Sequence, residues 1–105
     1  MSFHPYFLSV VAEQNSIYHI EKKLSPQEVL NTGMSYGMLV LSAPSSGHTA
    51  VYVVYEGNAV LIKASSEDSI NSAYTLWREA DGTTSITNKS TTDRLIYLTI
   101  ISAWV

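Results

Sequence analysis

The chain has 105 residues, 46% of them hydrophobic and only 14% charged, with no cysteine and a formal charge of −3. That length suits one domain with a core of useful size, so a single domain over residues 1–105 is expected and intrinsic disorder is excluded. Six basic residues against nine acidic ones, without a basic run, exclude the electrostatic footprint of a nucleic-acid binder, and the missing cysteines exclude disulfide staples and thiolate chemistry.

The stretch from Met1 to Val11 has an apolar run at Phe7 to Val11 but no basic segment ahead of it, and Glu13 follows at once. It reads as a first strand, Phe7 to Ala12, and not as a secretory signal. A second strand is predicted at Ser16 to Glu21. Ser25-Pro26-Gln27-Glu28 then places an N-cap serine, a proline at the first helical position and a carboxylate three residues on. These are the marks of one helical turn ending by Asn31 to Gly33, with Leu24, Val29 and Leu30 on its apolar side.

Strands follow at Gly37 to Ser42, Thr49 to Tyr55, Ala59 to Ala64, Ala73 to Glu79, Thr83 to Asn88 and Arg94 to Ala103, each rich in β-branched and aromatic residues and bounded by Gly, Asn, Asp, Ser or Pro. Glu56-Gly57-Asn58 and Asp81-Gly82 mark two hairpin turns, where glycine permits the positive φ a tight turn requires. The Ser/Gly stretch Ala43 to Gly47 is a loop, and Lys89 to Asp93 is either a hairpin or a crossover between sheets. The apolar C-terminal run Leu95 to Val105 is far shorter than a membrane-spanning helix requires, so no membrane partner is expected. Eight short strands make two packed sheets. The expected fold is an all-β small sandwich of about eight strands, jelly-roll or immunoglobulin-like, with one short helical turn and with its first and last strands closing on one another.

No catalytic, cofactor or metal constellation can be assembled from motifs. His4, His19 and His48 lack metal-ligand spacing. Ser46-Gly47-His48 sets a hydroxyl near an imidazole, but triad members are brought together by a fold and not by adjacency, and no Gly-x-Ser-x-Gly elbow is present. Glu67-Asp68 and Asp81 match no calcium loop, and neither Glu56 nor Glu79 has a partner carboxylate for glycosidase chemistry. Asn88-Lys89-Ser90 fits the glycosylation sequon, which matters only in a secretory protein.

Seven tyrosines and two tryptophans remain. Tyr55, Tyr74 and Trp77 are the candidates for holding a sugar, since each offers an apolar face with a polar tip. A second signal is apolarity on both faces of single strands. In Arg94 to Val105, Leu95, Tyr97, Ile101 and Ala103 alternate with Ile96, Leu98, Ile100 and Trp104, so both faces require cover. Met38 and Val40 alternate with Leu39 and Leu41 in the same way, as do Val51, Val53 and Tyr55 with Tyr52 and Val54. A homo-oligomer, dimer or trimer, with Ile96, Leu98, Ile100 and Trp104 at its interface, follows from that pattern.

In general character, a cysteine-free, Ser/Thr-rich β domain with an apolar closing strand resembles the small accessory and fibre proteins of bacteriophage particles, and also small jelly-roll lectins. The resemblance implies a non-enzymatic structural or interaction module that self-associates, as a virion decoration, tail or fibre component meeting other virion proteins, in the virion or the cytoplasm. Its alternative is a small oligomeric carbohydrate-binding domain with a glycan as partner.

Overall fold

A computed structural model of the chain describes residues 16–102. The expected strand Phe7 to Ala12 and the interface candidate Trp104 lie outside the described residues. The described residues form eight strands: β1 (Ser16–Leu24), β2 (Val29–Asn31), β3 (Gly37–Ala43), β4 (His48–Tyr55), β5 (Asn58–Ala64), β6 (Tyr74–Arg78), β7 (Thr84–Asn88) and β8 (Arg94–Ser102). A 3₁₀ turn (Pro44–Ser46) joins β3 to β4, and one helix, α1 (Glu67–Ala73), joins β5 to β6.

The strands form two antiparallel sheets, five-stranded β1-β8-β3-β4-β5 and three-stranded β2-β7-β6. The expected sandwich is therefore what the chain adopts. Within the larger sheet, β8-β3-β4-β5 has the Greek-key order: β3, β4 and β5 form a meander, and β8 returns through the smaller sheet to lie beside β3. Lys89 to Asp93 is the crossover that makes this return. β1 and β2 lie in different sheets.

Two local expectations change. The segment Ser25 to Glu28 is a reverse turn and not a helical one: Glu28 N–H donates to the Ser25 carbonyl at 3.0 Å, and Gln27 has a φ of 67°. Proline before a residue at positive φ makes a type II turn, which a helix cannot continue. The Ser25 N–H still donates to Glu28 Oε1 at 2.9 Å, so half of the expected capping reciprocity exists, but it closes a turn. Val29–Asn31 then pairs with Thr87 to Ser85 as β2, and Gln27 N–H donates to the Asn88 carbonyl at 2.7 Å. The helix sits instead at Glu67–Ala73, where Ser66 caps the Ser69 N–H and Glu67 and Asp68 occupy the first turn. Only Ile70 and Ala73 on it are buried, too few to raise a helical period in the sequence.

Register fixes the core. Tyr18, Ile100, Leu39, Tyr52 and Leu61 are aligned across the five strands, and Ile20, Leu98, Leu41, Ala50 and Ala64 form the next inward row. From the other sheet Leu30, Ile86 and Leu76 face them. Ile96, Leu98 and Ile100, expected at an interface, are fully buried in this core. The physical reason is parity: β8 lies between β1 and β3 in a sheet that packs on the smaller one, so one of its faces meets that sheet, and the opposite face carries the outward residues Leu95, Tyr97, Thr99 and Ile101.

The tip of the β4–β5 hairpin docks on the β6–β7 hairpin. Glu56 and Gly57 both have positive φ, as a two-residue type I′ turn requires. Thr84 Oγ1 donates to the Gly57 carbonyl at 2.7 Å and Arg78 Nε to the Glu56 carbonyl at 2.8 Å. This clasp holds the sheets together at one end of the β5/β6 seam, and α1 packs on β4, β5 and β6 at the other.

Candidate functional site

The outward side of the larger sheet carries one continuous apolar line. Ile17 on β1 pairs with Ile101 on β8, Ile101 with Met38 on β3, Met38 with Val53 on β4, and Val53 with Val60 on β5. Ile17 is 67% exposed, Val60 45%, Met38 41% and Val53 40%, which is high for large apolar side chains lying side by side. The next outward row is mixed, His19, Thr99, Val40, Val51 and Lys63, and the one beyond it, Glu21, Tyr97, Ser42 and Thr49, is mostly polar. Apolar character thus falls off along the strands in register. Ile62 stands beside the line as the extra residue of a bulge between the Val51–Lys63 and Tyr52–Leu61 pairs.

A second feature is a cleft of about 300 Å³ in the seam between β5 and β6. Tyr52 and Leu61 form its wall on the larger sheet, Tyr74 and Leu76 its wall on the smaller, and Asn71 of α1 and Lys89 flank it. Among the described residues every fully buried side-chain nitrogen or oxygen has a hydrogen-bond partner, and Tyr52 is 4% exposed. Burial and then the neighbouring Tyr74 push that phenol up to about 12.

The sequence candidates separate in space. Tyr74 is in the core and lines the cleft, its hydroxyl 3.4 Å from His48 Nδ1 with the two rings edge to face. Tyr55 is exposed on the outward side of the larger sheet, and Trp77 lies on the outward side of the smaller, donating from Nε1 to Thr87 Oγ1 at 2.9 Å. The three aromatics therefore do not converge on one sugar. Ser46 and His48 do not form a pair either: Ser46 Oγ accepts from Arg94 Nη1 at 2.7 Å, while His48 faces Tyr74. Burial, and then the Arg94 charge, hold the His48 imidazole below its ordinary value. Asn88 of the sequon is fully buried, its amide donating to the Leu24 and Thr92 carbonyls at 2.9 Å each, so no glycan reaches it in the folded chain.

Among the described residues no group of three His, Cys, Asp or Glu side chains gathers, and no helix is long and apolar enough to cross a membrane. In comparison with known proteins, no family model, no curated protein and no solved structure matches the chain.

Proposed function

We propose that the chain is a non-enzymatic structural module that self-associates, two copies packing through the outward faces of their larger sheets. The observation that carries this reading is the apolar line Ile17–Ile101–Met38–Val53–Val60, which crosses all five strands without a polar interruption. Three physical points favour a second copy as its cover.

The first is size. Five strands at ~4.8 Å spacing and about seven residues at ~3.3 Å rise give a face roughly 24 by 23 Å. A line spanning the whole ~24 Å width gives a partner a contact as wide as the sheet itself.

The second is symmetry. A two-fold axis lying along the line sets it against itself, and the rows bearing His19, Lys63 and Glu21 then project into water at opposite ends of the pair. No like charges are forced together.

The third is that edge-to-edge growth is guarded at both sides of the larger sheet. β5 carries a bulge and Lys63, and β1 turns Lys22 inward beside the buried Ile96, where it pairs with Glu28 at 3.5 Å. Association by the face is what remains. We assign such a module to the decoration, tail or fibre components of a bacteriophage particle. Its support is the self-complementary face together with the cysteine-free, Ser/Thr-rich composition. Sedimentation equilibrium from nanomolar to high micromolar concentration tests the association: twice the monomer mass at the upper end is expected, and a monomer throughout would overturn it.

A further inference from the structure

We infer that Met38 is an oxidation site that controls the self-association proposed above: oxygen transfer from a hydroperoxide to its thioether sulfur in the separated chain keeps two copies from closing their outward faces. The inference rests on that reading of the face and names its regulation. The chain has three methionines and no cysteine, so no thiol competes for the oxidant. Met34 is fully buried, whereas Met38 is 41% exposed. Among the described residues Met38 is therefore the methionine that a peroxide reaches.

Its place in the line decides the consequence. β3 is the third of the five strands of the larger sheet, so Met38 stands midway along the line, with Ile101 and Ile17 on one side and Val53 and Val60 on the other. About a two-fold axis along that line each Met38 faces the Met38 of the second copy, two strands in from either rim. The sulfur then lies in the dry middle of the contact. On oxidation it gives up two electrons and gains the outer oxygen of the peroxide: an S–O bond forms, the O–O bond breaks, and the proton of that oxygen passes to the leaving one, released as water or an alcohol. A flexible apolar side chain becomes a polar one with a strong acceptor at its end. In the separated chain water answers that oxygen. In the closed pair its row neighbours Ile101 and Val53 and its strand neighbour Val40 carry no side-chain donor, and two such oxygens meet across the axis. Closure shields the sulfur and oxidation opposes closure, so peroxide draws pairs into single chains through the dissociated fraction.

Hydrogen peroxide is added to the wild type and to Met38→Leu, which keeps a side chain of similar size and apolar character, at the lowest and highest concentrations used in sedimentation. Peptide mass spectrometry follows each methionine, and sedimentation equilibrium follows the mass of the product. In the dilute chain Met38 is expected to oxidise roughly tenfold or more faster than Met34, and to slow as the concentration rises. The sulfoxide form is expected to associate roughly tenfold or more weakly than the untreated chain, with an unchanged thermal melt when dilute, while Met38→Leu pairs alike before and after treatment. Met1 is present in both proteins, so the variant also controls for its oxidation. Met38 reacting no faster than Met34, a sulfoxide form that pairs as tightly as the untreated chain, or an equal loss of pairing in Met38→Leu would overturn this assignment alone. An untreated wild type that is monomeric at every concentration would overturn the face-to-face reading and this assignment with it.

Discussion

The outward faces of the two sheets obey the same alternation and solve the same problem in different ways. On the smaller sheet the outward groups answer one another: Asn31 Nδ2 donates to Glu79 Oε2 at 2.9 Å and to Thr83 Oγ1 at 2.8 Å, Ser85 Oγ donates to Glu79, and Trp77 Nε1 donates to Thr87. Apart from the exposed Val29, that face is satisfied within one chain. On the larger sheet the outward line from Ile17 to Val60 has no polar groups to pair, and only apolar contact can satisfy it. The lesson is that exposure alone does not mark an interface. Trp77 is about as exposed as Met38, yet Trp77 is tied into a hydrogen-bonded network and Met38 is not.

The comparison can be broken first at the division between inward and outward residues. Leu41→Ala and Leu39→Ala, in the fully buried rows, should each cost about 2–5 kcal/mol in denaturant melts. Met38→Ala and Val53→Ala on the opposite face should cost under about 1 kcal/mol at concentrations where the chain is monomeric. Equal losses on the two faces would mean that the sheet is covered on both sides within one chain.

The clasp supplies a smaller and sharper contrast. A Cβ on Gly57 would run into the Gly82 carbonyl, whereas one on Gly82 would meet nothing nearer than Arg78 Nη2 at 3.5 Å, and both glycines have positive φ. Gly82→Ala should cost about 1–2 kcal/mol for the left-handed backbone. Gly57→Ala should add about 1–3 kcal/mol of steric strain to that figure and loosen the seam. Thermal melts of the two variants rank them, and an equal cost would deny the contact between hairpin tips.

Acid sensitivity probes the polar face. Hydrogen bonds from Ser85 and then Asn31 hold the Glu79 carboxyl below its ordinary value. A carboxylate whose folded value is depressed contributes stability at neutral pH, and that contribution is lost as pH falls from the unfolded value through the folded one. Glu79→Gln should therefore lower stability at neutral pH and flatten its decline on acidification below the usual carboxylate range. A variant with an unchanged pH profile would mean that the network does not depend on charge.

Much of this architecture can be read from the residues. Seven of the eight observed strands fall where β-branched runs and turn residues put them, because those local signals agree with the tertiary arrangement. Val29–Asn31 is the exception: three residues after a Ser-Pro-x-Glu sequence carry no period of their own, and their state is decided by pairing with β7. The helix at Glu67–Ala73 left a cap and two acids in the sequence, but no apolar stripe.

The two-sided apolarity of β3, β4 and β8 was equally legible, whereas the choice of face was not. Ile96, Leu98 and Ile100 and their neighbours Leu95, Tyr97 and Ile101 are chemically alike, and only the position of β8 between β1 and β3 sends the first set inward. The line from Ile17 to Val60 exists only through register across five strands that are far apart in sequence. The cleft has the same origin, since Tyr52, Asn71 and Lys89 meet through the seam and share no motif.

The central claim is that the outward face of the larger sheet, and not that of the smaller, joins two copies. Sedimentation equilibrium of Met38→Glu/Val53→Glu beside the wild type and Val29→Glu tests it most directly, because Val29 is an exposed apolar residue on the other sheet and controls for added charge. The account predicts a dimer for the wild type and for Val29→Glu, and a folded monomer for the double variant. A double variant that remains dimeric, or a wild type that is monomeric at every concentration, would contradict it.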